Sequence, residues 1–213
     1  MATPLLWSNV QVAMQSALGT AKTISAITKA DPGVASSTSH GVADGSYVVL
    51  DVVGMSQVDG RVFRTDNALT DSFELEGEDT TNYDTFTSGT AQVITYGTTF
   101  TTVVNLNASG GDPNFVDVTT IHDNVAKQIP GIASAISYSL ENIWDVSDAA
   151  LLAMKVASDT NTQRAFKFTF SNGQIMVFNG YISAPLLPTG AAQGLVNTPA
   201  TITMFGTPTY YSA

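Results

Sequence analysis

Between Arg164 and Ile182 the chain reads RAFKFTFSNGQIMVFNGYI, and this stretch restricts the fold more than any other. Phe166, Phe168 and Phe170 recur at every second position with Lys167 and Thr169 between them, which sends the three rings to one face of a strand. Ser171-Asn172-Gly173 is a turn signal, so a second strand folds back beside the first. That second strand is apolar on both faces, with Ile175, Val177 and Tyr181 on one and Met176, Phe178 and Ile182 on the other. A strand of this kind needs two covers. One is the core of its own domain; the other is a helix, a second sheet or another subunit. Arg164 and Lys167 alone carry charge between Asn161 and Pro185, so little of the hairpin is suited to open solvent.

The same economy of charge runs through all 213 residues, of which 12% are charged against roughly 25% in an ordinary soluble domain. Thr, Ser, Asn and Gly take the place of Lys and Glu, a surface that suits strands and subunit contacts. The net charge of -10 argues against holding nucleic acid through its phosphates. The absence of cysteine removes disulfides, thiol chemistry and cysteine zinc sites. MATPLLWSNVQVAMQ lacks a basic segment followed by a compact apolar run, and 18 consecutive apolar residues occur nowhere. Neither a signal peptide nor a membrane span is therefore expected, and synthesis and assembly in cytoplasm are.

Charge also divides the chain. Residues 20–95 hold eleven of the eighteen acids against four bases, which marks an acidic inserted module within a domain made of residues 1–19 and 96–213. Inside the module, YVVLDVV from Tyr47, RVFRT from Arg61, SFELEG from Ser72 and AQVIT from Ala91 are short strands separated by turns such as Asp44-Gly45 and Asp59-Gly60. Outside it, Val10, Val12, Met14 and Ser16 form one face of an opening strand; TTFTTVVNLN from Thr98, ISYSLENIW from Ile136 and ATITMFGTPTYY from Ala200 are further strands. The fold class is mainly β. One helix is expected at about 145–158, with Asp145 and Asp148 placed to cap and charge its first turn, Leu151, Met154 and Ala157 on one stripe and Leu152 and Val156 on another. Residues 107–131, with Gly110-Gly111, Pro113 and Pro130, read as a long loop of the kind that serves as an interaction arm.

No catalytic or ligand-binding constellation emerges. His122-Asp123 could be fitted to a hydrolase triad, but no Gly-x-Ser-x-Gly elbow accompanies it, and His40 and His122 read better as structural or loop residues. No metal-ligand spacing occurs, so no metal and no cofactor are expected. Glu74, Glu76 and Glu78 share one face if the strand continues through them; a solvated acidic face is the commoner meaning, Ca²⁺ the less common. Asn107-Ala108-Ser109 matches a glycosylation sequon, which carries little without a secretion signal.

The F-x-F-x-F strand, the Asn-Gly turn, the apolar strand ending Gly-Tyr-Ile-Ser and the final strand ATITMFG together resemble the tail tube proteins of long-tailed bacteriophages. SGGDPNFVDVTTIHDNVAKQIPG leading into ISYSLENIWD is similar to their long loop and following strand. The resemblance covers Leu5 to Gly19 and Thr95 to Tyr211, while the acidic phrases resemble a small β module inserted in phage tail proteins. It implies a β-sandwich or barrel-forming protomer with one flanking helix, assembled as hexameric rings that stack into a tube for genome ejection. It implies subunit contacts through Phe166, Phe168, Phe170, Val177, Tyr181, Asn114, Phe115, His122 and Pro130, and a lumen lined by Lys167 and Thr169. The implied partners are further copies of the chain, the tape measure, tail tip and terminator proteins, and viral DNA that passes without specific binding; the implied location is the virion. Two other classes stay open: a carbohydrate- or surface-binding β-sandwich of adhesin type, with exposed aromatics near Tyr83 and Phe86, and a hydrolase built on His122.

Overall fold

The computed structural model describes residues 7–212, so residues 1–6 of the expected first segment and residue 213 lie outside it. In chain order the elements are β1 (Gln11–Leu18), β2 (Lys22–Ile24), β3 (Ala26–Ile27), β4 (Val34–Ser36), β5 (Tyr47–Val53), β6 (Val62–Asp66), β7 (Ser72–Leu75) and β8 (Ser88–Phe100). Then follow β9 (Val103–Ser109), β10 (Pro113–Asp117), β11 (Gln128–Ala133), β12 (Ser137–Ile143), α1 (Ala149–Asp159), β13 (Arg164–Thr169), β14 (Ile175–Ser183) and β15 (Asn197–Tyr211). Thirteen strands form one sheet in the order β3-β4-β7-β6-β5-β8-β1-β13-β14-β15-β12-β9, with β2 beside β8; β10 and β11 pair separately. The protein is mainly β with one helix, as expected.

The sheet curls until β6 meets the end of β15. Thr209 donates its hydroxyl to the Val62 carbonyl at 3.0 Å, and the Arg64 N–H donates to the Tyr211 hydroxyl at 2.6 Å. These bonds join two strands that share no ladder, giving otherwise orphaned polar groups their partners. Val62, Ile94, Ala165, Val177 and Tyr211 fill the space so enclosed. On the other side of the same strands lies a larger core, in which Phe178 is stacked on Phe166 at 5.4 Å and lies 5.6 Å from Phe168 between ring centroids. The doubly apolar β14 thus receives both covers from its own chain.

Helix α1 starts at Ala149, four residues after Asp145. Asp148 accepts from the Leu151 N–H at 2.8 Å and caps it, whereas Asp145 accepts from the N–H and hydroxyl of Ser147 and holds a turn outside the helix. Ala150, Leu151, Met154 and Ala157 are buried in the larger core. Leu152 and Val156 are exposed, so this chain covers only one of the two apolar stripes.

The acidic segment has a core of its own, drawn from residues between Ile24 and Ala91 and centred on Phe63, Phe73, Leu50 and Met55. It is also continuous with the rest: β8 runs unbroken through residues 95 and 96, where composition placed the boundary. Arg61 reinforces the junction. Its guanidinium pairs with Glu78, donates to the Gln57 carbonyl at 3.0 Å and to Thr209 of β15 at 3.3 Å, and lies 4.7 Å over the Phe63 ring. Both members of the pair are about nine-tenths buried. Glu78→Ala is expected to cost about 3–5 kcal/mol in urea unfolding, because it strands a buried guanidinium.

The opening strand departs from simple alternation. Val12 and Met14 enter the larger core as expected, but bulges on either side of Gln15 break the register against β8, so Gln15 is buried and Ser16 is exposed. Glu74, Glu76 and Glu78 share no face. β7 ends at Leu75 and the chain turns at Gly77, whose φ of +67° suits glycine. Glu74 accepts from Asn67, Glu76 pairs with Arg64 and Glu78 with Arg61.

Candidate functional site

Of the residues expected at subunit contacts, Phe166, Phe168 and Val177 have no exposed surface and cannot touch a neighbour. That expectation is corrected: Phe166 and Phe168 are enclosed in the larger core, and Val177 is covered by the β6–β15 junction, a pairing of distant segments that leaves no mark in local periodicity. Phe170 is half-buried and lies 5.9 Å from the Trp7 ring. Tyr181 is exposed, its hydroxyl accepting from Gln163 at 3.2 Å.

Lys167 and Thr169, expected in a lumen, are half-buried on the concave side of their own sheet. The Lys167 ammonium lies 4.9 Å from the Tyr96 ring centroid and 5.2 Å from that of Tyr47, which meet edge to face. Desolvation holds the amine below the ordinary lysine value and raises the phenols of Tyr96 and Tyr47. A base with a lowered folded-state pKa destabilises the fold below that pKa, and the penalty fades as pH rises towards the unfolded value. Lys167→Met, which keeps the stem over the rings, is therefore expected to raise the unfolding midpoint at pH 7 by roughly 1–3 °C, with the gap closing as pH approaches 10. A gap that widens with pH would contradict this assignment.

The expected long loop is instead a β-hairpin. The β9–β12 ladder ends at Ser109 opposite Ser137, the chain breaks at Gly110-Gly111, and β10 and β11 resume the pairing. Both glycines have positive φ, and a Cβ on Gly110 would lie 2.1 Å from the Ala135 carbonyl oxygen, so the break requires glycine. Opposite residues in the hairpin share a face: Phe115 lies across from Pro130, and Val116 across from Ile129 on the other side. Both faces are apolar and exposed. Ile121, Ile132 and Val125 are 97%, 89% and 75% accessible, and Phe115, Val116, Val118 and Ile129 are exposed with them. Two isolated strands are marginal in water, and a contiguous apolar surface of this kind marks a contact site. Asn114, Phe115, His122 and Pro130 are all on this arm and accessible. The sequence reading missed Val116, Val118, Ile121, Val125, Ile129 and Ile132, whose only signal was an excess of branched apolar residues in a segment with turn chemistry.

The remaining chemistry disperses. Asp123 accepts from the N–H and hydroxyl of Thr120 and pairs with Lys127 at the tip of the arm, so it does not orient the His122 ring. His40 is buried, its Nδ1 accepting from the Val42 N–H at 3.0 Å and its Nε2 3.2 Å from the Ser72 carbonyl. No group of three acids or histidines among the described residues could hold a metal ion. Tyr83 and Phe86 pack partly buried on the acidic segment's core, with Tyr83 donating to Glu78 at 2.6 Å, so they form no open aromatic platform. No described helix is long and apolar enough to cross a membrane.

The most exposed apolar feature of this curled antiparallel sheet is the arm, which its own chain leaves uncovered. The family model described as phage tail tube protein matches residues 53–213, which includes β6 to β15, α1 and the whole arm. The chain belongs to that family and is a structural protein of the phage tail. No curated protein matches it.

Proposed function

We propose that this tail tube protein polymerises as hexameric rings that stack into a tube, through which the viral genome is ejected. The observation that carries this reading is the arm: apolar on both faces and covered on neither by its own chain, it fits between surfaces of two other copies. Asn114, Phe115, His122 and Pro130 on the arm, with Tyr181 and the open helix stripe of Leu152 and Val156, supply the subunit contacts. Burying the arm also protects the edge of β9, the last strand of the sheet, from irregular pairing.

Residues 1–19 and 96–213, which would form the wall of such a tube, hold seven acids against four bases and no basic cluster, so DNA passes without specific binding. The segment 20–95, with a core of its own, projects outward as a module, since a body of that size would obstruct the channel. The tape measure, tail tip and terminator proteins bound the tube, and assembly takes place in the host cytoplasm before the virion is complete.

Sedimentation across a wide range of protein concentration tests the reading. A concentration-dependent shift from the 22.3 kDa chain to a six-chain species and then to larger particles is expected. A single monomer peak at every concentration would refute it.

A further inference from the structure

Residues of β1, β5, β8, β14 and β15 line a cavity of about 340 Å³, near the lower end of the range for small-ligand sites. Its wall holds carboxamides of Gln15, Gln92, Gln163 and Asn179, the carboxylates of Asp51 and Asp59, and no lysine or arginine.

Several of these groups are fixed in place. Gln15 is 5% exposed, and its Oε1 accepts from the Ala165 N–H at 3.1 Å, which leaves Nε2 as a donor without a partner among the described residues. Asn179 is also buried and donates to Gln163 Oε1 at 3.1 Å. Asp59 accepts from the Val52 N–H at 2.9 Å. Phe205 forms one wall, seated against Gly60, where a Cβ would lie 2.4 Å from the ring.

This set of groups selects its ligand. Two carboxylates exclude an anion. A cation would satisfy them but offers no acceptor to the free amide N–H of Gln15. A hydroxyl both donates and accepts, and an exposed aromatic edge provides the apolar contact. We infer that this cavity binds a neutral polyhydroxylated ligand, one ring of a saccharide, supplied either as a free sugar or as a residue of a cell-envelope polysaccharide. This goes beyond tube formation and does not depend on it.

Saturation-transfer NMR on the full chain tests the inference, with glucose, galactose and N-acetylglucosamine as free probes and envelope polysaccharide fragments as polymeric ones. Transfer to at least one probe is expected. Signal from free sugars shows that one ring suffices, and signal from the polymer alone places the source in the envelope. Gln15→Glu keeps the acceptor for Ala165 but removes the donor, and Asp51→Asn alters an exposed carboxylate; each is expected to weaken binding at least tenfold. Should Gln15→Glu fail to fold, Asp51→Asn and Phe205→Ala carry the test. No transfer to any probe, binding unchanged in the folded variants, or binding of argininamide or phosphate in place of sugars would overturn the inference.

Discussion

Phe168→Asp is expected to leave no folded protein. The ring is fully buried, 5.3 Å from the Tyr138 centroid and 5.6 Å from that of Phe178, and its strand neighbours at this level are Val12 and Met176. Removing a buried phenylalanine ring costs about 3–5 kcal/mol through lost burial and the cavity left behind. A carboxylate without a partner in that space adds several kcal/mol more. Together these approach or exceed the whole stability of a domain, about 5–15 kcal/mol. The variant should appear as aggregate or as unfolded chain by circular dichroism. Phe168→Leu should fold, with a loss of about 1–2 kcal/mol. A soluble Asp variant with a wild-type melting curve would show that the hairpin is not the centre of the fold.

The arm gives the opposite separation. Ile121 and Val125 are almost free of contacts in the chain, so Ile121→Asp with Val125→Asp should leave the unfolding free energy of the monomer within about 0.5 kcal/mol of the parent. In an assembly that buries the arm, two uncompensated carboxylates are placed at an apolar contact. A loss of about 2–3 kcal/mol per contact raises the concentration needed for polymerisation roughly 30- to 150-fold. Light scattering against concentration, paired with a melting curve, separates the two effects. Unchanged assembly would remove the arm from the interface, and a lowered melting point would show that it supports the monomer.

What was legible in the sequence follows from the range over which each signal acts. The F-x-F-x-F alternation and the Asn-Gly turn are local, and β13 and β14 lie where those signals place them. Leu151, Met154 and Ala157 mark the buried stripe of α1, but two acids competed for its cap, and only the bonds of Asp145 to Ser147 show which lost. Gln15 reads as the polar side of a strand until two bulges turn it inwards. The carboxylates at 74, 76 and 78 read as one face until Gly77 turns the chain and two arginines draw two of them apart. The second cover of β14 comes from Val62 and Tyr211, far away in sequence, so periodicity alone could not separate self-packing from subunit packing. The arm escaped because a hairpin apolar on both faces shows no alternation.

Electron microscopy of the purified chain across concentrations tests the central claim most directly. Hollow tubes of stacked six-fold rings, with the β10–β11 hairpin of each protomer enclosed by its neighbours, are the expected result. Solid filaments without a channel, or rings in which the hairpin stands free in solvent, would contradict the account.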